Sequence, residues 1–107
     1  MRVLLDECLP RRLKRELSDH QVYTVPEMGW AGVKNGALLR LIQDAAFDVF
    51  VTIDGNLTYQ QNLSGVSLAI VVLSASDNTI ESLRPLAPDI LAAIERISAG
   101  EIIPVGR

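Results

Sequence analysis

The chain has 107 residues, 49% of them hydrophobic, with ten Lys and Arg against thirteen Asp and Glu and a formal net charge of −3. That is the size of one compact domain and a globular composition. A single Cys and a single His exclude a disulfide framework and a Cys/His structural zinc site within one chain, and leave carboxylates as the residues best placed to do chemistry.

Val3, Leu4 and Leu5 predict a strand over Arg2–Asp6 that stops at Asp6 and Glu7. Three apolar residues are too few for a signal-peptide core, and the longest apolar run, Leu68–Leu73, is far below a membrane span, so the expected address is cytoplasmic. Pro10 suits the first turn of a helix whose inner face is Leu9, Leu13 and Leu17. Ser18-Asp19-His20 ends it, with His20 expected as a solvated residue, and Gln21–Val25 reads as a short strand closed by Pro26. Glu27–Lys34, with Gly29 and Gly32, reads as a loop. Asn35 is the expected N-cap of a helix over Gly36–Ala46, with Leu38, Leu39, Ile42 and Ala46 facing inward.

Asp48–Ile53 is the clearest strand, and Asp54-Gly55-Asn56 is a turn signature after it. Leu57–Leu63 reads as a short helix and Leu68–Leu73 as an apolar strand. Asn78 is the expected cap of the last helix, with Glu81 completing a capping box. Ile80, Leu83, Ala87, Ile90, Ile94 and Ile97 keep a helical spacing through Pro85 and Pro88, which predicts one kinked helix or two collinear pieces, ended by Gly100. Ile102, Ile103 and Val105 make a final strand.

Strands that are apolar without alternation are buried on both faces. The pattern therefore predicts a single α/β domain over residues 1–107, a three-layer α/β/α arrangement on a mostly parallel sheet. Right-handed crossovers and strand order two-one-three-four-five are expected with it.

In such sheets ligands bind outside the C-terminal ends of the strands, where the strand order reverses. Asp6 ends the first strand and Asp54 the third. Adjacent strands lie about 4.8 Å apart, so both carboxylates would face one small volume. Two such charges repel unless a cation joins them. Magnesium, which takes one or two carboxylates, waters and phosphate oxygens, fits, and the site would suit phosphodiester hydrolysis. The plain structural alternative is that each acid caps a helix or makes a turn.

These residues also carry a resemblance. Leu4-Leu5-Asp6-Glu7-Cys8-Leu9 resembles the LLDENL opening of a bacterial family of small PIN-like proteins of unknown function. The likeness continues through Val22-Tyr23-Thr24-Val25, the Gly29–Gly32 loop and Val51-Thr52-Ile53-Asp54. The PIN group comprises metal-dependent ribonucleases, many of them toxins of toxin–antitoxin pairs. The resemblance thus implies a PIN-like fold, catalytic Asp6, Glu7 and Asp54, a Mg²⁺ or Mn²⁺ ion, RNA as substrate and a small antitoxin-like protein as partner. Asp6 and Glu7 match the family's first acidic pair and Asp54 a later acid, but Asn35 and Asn56 stand where the family has carboxylates. An amide oxygen still ligates a hard cation, yet brings no charge. Asn35 and Asn56 are therefore expected as secondary metal ligands, and a catalytically inactive protein- or RNA-binding module is the alternative.

The charge is unevenly spread. Residues 1–40 hold seven basic and five acidic side chains, residues 41–107 three basic and eight acidic. Arg11, Arg12, Lys14 and Arg15 fall on the first helix directly after Asp6-Glu7, where they and the helix N-terminus would hold RNA phosphates. A solvated helix face is the plain alternative. Trp30 is the one expected stacking platform for a base, against packing under its loop. Cys8 is expected as a small apolar residue. No G-x-G-x-x-G or P-loop occurs, which disfavours a dehydrogenase or kinase. A response-regulator receiver would share the strand order, but this chain has no Lys after the later strand, which disfavours that reading. A homodimer is a further expectation, since pairing closes a groove that so small a domain leaves open.

Overall fold

The computed structural model describes residues 1–33, 35–53 and 68–106, with Asn35 described by its backbone alone. Five strands form one all-parallel sheet: β1 (Arg2–Leu5), β2 (Gln21–Thr24), β3 (Val49–Thr52), β4 (Ala69–Ser74) and β5 (Ile102–Gly106). Their order, β2-β1-β3-β4-β5, is the expected one. Parallel pairing brings the C-terminal ends of all five strands to one edge. The turn Asp54-Gly55-Asn56 and the helix Leu57–Leu63 lie outside the described residues.

Alternate strand residues point to opposite faces, and both faces are apolar. Val3, Leu5, Val49, Val51, Val71 and Leu73 belong to one buried cluster, Leu4, Phe50 and Ile70 to the other. Two-sided burial explains why β1, β3 and β4 show no hydrophobic alternation. Helices α1 (Leu13–Glu16), α3 (Ile80–Leu83) and α4 (Ala87–Arg96) bury Leu13, Leu83 and Ile90 in the first cluster. Helix α2 (Asn35–Asp44) buries Leu38, Leu39 and Ile42 in the second. The result is the expected α/β/α sandwich.

Among the described crossovers the hand is not uniform. From β1 the chain crosses to β2 in one direction, and from β4 to β5 in the other, yet both connections place their helices on the same face. These two crossovers are therefore of opposite hand. The β2–β3 connection shares the hand of β1–β2, because α2 reverses both direction and face. The usual hand arises when a twisted strand feeds directly into a helix. Here five residues, Ala75 to Thr79, separate β4 from α3 and loosen that constraint.

The first helix is shorter and tighter than expected. Leu9, Leu13 and Leu17 are all buried, as their spacing predicts. The regular helix nevertheless covers only Leu13–Glu16, and its flanks wind by i to i+3 bonds, such as Leu13 N–H to Pro10 O at 3.0 Å and Leu17 N–H to Lys14 O at 3.1 Å. The loop after β2 opens with a 3₁₀ turn, Pro26–Met28, closed by Gly29 in the left-handed region (φ 78°).

Asn35 is the first residue of α2 rather than its cap, and Ala46 is not inward-facing but exposed. Helix α2 ends in a Schellman arrangement, with Phe47 N–H to Ile42 O at 3.3 Å and Ala46 N–H to Gln43 O at 3.0 Å. That puts Ala46, with φ 61°, in the left-handed position where glycine is usual.

The last helical region is broken at its prolines. Between α3 and α4 lies a 3₁₀ turn over Arg84–Leu86, and Pro88 occupies the first turn of α4, where its missing N–H costs nothing. Thr79, not Asn78, caps α3: its Oγ1 accepts Ser82 N–H at 3.3 Å, so Glu81 falls one position short of a capping box. Gly100 does not end the helix. Helix α4 stops at Arg96 because Ile97 turns extended, and Gly100 (φ 83°) lies in the turn before β5. Among the described residues no helix is long and apolar enough to cross a membrane.

Candidate functional site

β1 is an interior strand of the sheet, with the edge strand β2 on one side and β3 on the other. The register pairs Leu5 with Val51, and Asp6 N–H donates to Val51 O at 2.9 Å, so Asp6 leaves β1 opposite Thr52. There its Oδ2 accepts the Thr52 hydroxyl at 2.6 Å and its Oδ1 accepts Glu7 N–H at 2.8 Å. Thr52 is a buried polar residue at the end of an otherwise apolar strand. The half-buried Asp6 carboxylate is thus held in one orientation at the point where strand order reverses.

Glu7 turns the other way. Its Oε1 and Oε2 accept Gly32 N–H at 3.2 and 3.3 Å, in the segment that follows β2. The two adjacent acids therefore part, Asp6 toward β3 and Glu7 toward the β2 side. Cys8 sits half-buried beside Asp6, where burial first and the Asp6 charge second push its thiol up from the ordinary value. The Cys8 carbonyl accepts the Asn78 side-chain amide at 2.7 Å, which ties the loop after β4 to the turn that carries Asp6.

The basic residues flank the same edge. Arg11, Arg12, Lys14 and Arg15 line a depression of about 440 Å³. Arg11 also lines a neighbouring cleft of about 280 Å³ with Thr24, Pro26 and Glu27, at the C-terminal end of β2. Lys14 is committed to Glu27 at 2.7 Å, and this contact is the first cause that holds the Glu27 carboxyl below its ordinary value. The expected helix N-terminal anion site is not formed, because a four-residue α1 offers too short a row of aligned amides. A further depression, about 480 Å³, lies by the end of β4 and includes Ser74, Ser76, Glu81 and Pro85.

Trp30 is packed, not presented. It meets Phe47 edge to face at 6.2 Å and 77°, within the apolar cluster under α2. His20 is half-buried, with Nε2 shut off from water and without a hydrogen-bond partner, so it is not the solvated residue expected. Asp54 and Asn56 lie outside the described residues, as does the Asn35 side chain.

Asp6 fits one carboxylate position of a hard-cation site, since each of its oxygens keeps a lone pair beyond the bond it accepts. Among the described residues no three His, Cys, Asp or Glu side chains converge on a position that could hold a metal. Thr52, Gly32 and Asn78 were not singled out from the sequence as site residues. A polar residue closing an apolar strand is the signal that would have found Thr52, whereas Gly32 and Asn78 meet Glu7 and Cys8 across 25 and 70 positions with no local mark. Comparison with protein-family models, with curated proteins and with solved structures finds no match.

Proposed function

We propose that this chain is a PIN-like, metal-dependent ribonuclease, the toxin component of a toxin–antitoxin pair acting in the cytoplasm. One observation carries the reading: Asp6 stands fixed at the C-terminal end of the interior strand β1, at the reversal of strand order, beside a strip of four basic side chains. In this reading Asp6 and Asp54 hold Mg²⁺ or Mn²⁺, with Asn35 and Asn56 as amide ligands. A bound ion supplies Lewis acidity for phosphodiester hydrolysis. Thr52 orients Asp6, while Arg11, Arg12 and Arg15 take RNA phosphates.

A second reading, a PIN-like protein- or RNA-binding module without catalysis, is favoured by Glu7, whose carboxylate is engaged by Gly32. Two measurements separate the readings. RNA cleavage with Mg²⁺ or Mn²⁺ should be lost in Asp6→Asn and Asp54→Asn, and equal activity in all three proteins would sink the ribonuclease. A cation held only by the folded chain stabilises it by about 2.7 kcal/mol at a hundred times its Kd, about 10–20 °C in Tm; the module shows no such rise.

A further inference from the structure

We infer that Glu7 is a latch, a positioning residue that fixes segment 29–33 and the start of α2 against the end of β1, and that it is not a cation ligand. Its second half rests on the reading of Asp6 as a cation site; its first half does not.

Both Glu7 oxygens lie almost equally far from one donor, 3.2 and 3.3 Å from Gly32 N, so the carboxylate is centred on that amide. A charged acceptor makes this stronger than a neutral contact. Three other amides of the segment are satisfied inside it and its approach: Gly29 N–H by Pro26 O, Trp30 N–H by Val25 O and Val33 N–H by Trp30 O, at 3.0 to 3.1 Å. Gly32, at φ 83°, has a backbone conformation in which a side chain would be strained, and its N–H goes to Glu7 instead.

Met28, Trp30 and Val33 pack into the apolar cluster under α2. The segment is therefore held by apolar packing on one side and by Glu7 on the other. Gly32 precedes Asn35, the first residue of α2, by three positions, so the latch sets where α2 begins relative to Asp6. Glu7 is turned toward Gly32 and Asp6 toward Thr52, on opposite sides of β1, so one of the two side chains would have to turn before both could meet one cation.

The test measures amide exchange of Gly32 by NMR, and the Mg²⁺-induced rise in Tm, in wild type, Glu7→Ala, Glu7→Gln and Asp6→Asn. Glu7 is exposed, so its variants should fold. Glu7→Ala should speed Gly32 exchange by about three- to tenfold. Glu7→Gln, whose amide oxygen still accepts, should restore most of the protection, and both Glu7 variants should keep the wild-type Mg²⁺ response that Asp6→Asn loses. Unchanged Gly32 exchange in Glu7→Ala overturns the latch. A wild-type Mg²⁺ response that vanishes in Glu7→Gln overturns the claim that Glu7 is no ligand. If wild type itself shows no response, the cation reading of Asp6 fails, and faster Gly32 exchange in Glu7→Ala with rescue in Glu7→Gln still supports the latch.

Discussion

Thr52→Val removes one hydroxyl and keeps the shape of the side chain, so it isolates what holds Asp6. Thr52 has no solvent exposure (0%), and its Oγ1 lies 2.6 Å from Oδ2 of Asp6. A hydrogen bond to a charged acceptor contributes about 1.5–3 kcal/mol. Asp6 is only half-buried and keeps Glu7 N–H on its other oxygen, so water replaces part of the loss and the lower end applies, roughly 1.5–2 kcal/mol. For a domain this size that is a Tm fall of about 6–16 °C.

Urea unfolding followed by circular dichroism should show the lower midpoint with an unchanged slope. Thr52 has a further interaction besides this one, so the Asp6 share is read from a double-mutant cycle with Asp6→Ala, where a coupling of about 1.5 kcal/mol is expected. Thr52→Ser keeps the hydroxyl and should keep the coupling. A Thr52→Val protein within about 0.5 kcal/mol of wild type, or a cycle that closes to zero, would refute the claim that this hydroxyl orients Asp6.

Three further outcomes are expected. Ala46 is an alanine in left-handed backbone at the end of α2, so Ala46→Gly should raise stability by about 0.5–1 kcal/mol by urea unfolding; a loss of stability would show that the Schellman geometry is wrong. The Glu27 carboxyl is held below its ordinary value, first by the hydrogen bond from Lys14. Its contribution is therefore present above about pH 4.5 and disappears as pH falls through its folded value. Glu27→Gln should cost roughly 0.5–1 kcal/mol at pH 7 and match wild type in acid, and a gap that persists into acid would remove Glu27 as the cause. For Cys8, burial and then the Asp6 charge disfavour the thiolate, so iodoacetamide at pH 8 should modify it more slowly than a free cysteine. Asp6→Asn should speed that reaction, and no change would mean that Asp6 does not act on the sulfur.

The fold was largely legible because its signals are local and repeated. Continuous apolar runs mark β1, β3 and β4 as doubly covered, and Leu9, Leu13 and Leu17 fall in the core as their spacing requires. What was not legible depended on competition between neighbours. Asn78 and Thr79 are both good caps, and Asn78 is drawn away by the Cys8 carbonyl. Pro10 suits a helix start, but the turn from β1 leaves room only for i to i+3 bonds before Leu13. The hand of the β4–β5 crossover is set by which sheet face receives the stripe from Ile80 to Ile97, and a stripe has the same spacing on either face.

The candidate site shows the same division more sharply. That acids at strand ends share one edge follows from parallel topology alone, because every strand delivers its C-terminal end to one side. Which acids act together does not follow, because it depends on register and on the direction each side chain takes after its strand. Asp6 and Glu7 are neighbours in the chain and part in space; Asp6 and Thr52 are 46 positions apart and meet at 2.6 Å. Each added carboxylate brings charge to a cation site, and the Glu7 carboxylate is turned to Gly32 instead. The ribonuclease reading therefore depends on Asp54 more than the motif Asp6-Glu7 suggests. Asp54→Asn alone should abolish the cation response, whereas Glu7→Gln should leave it intact.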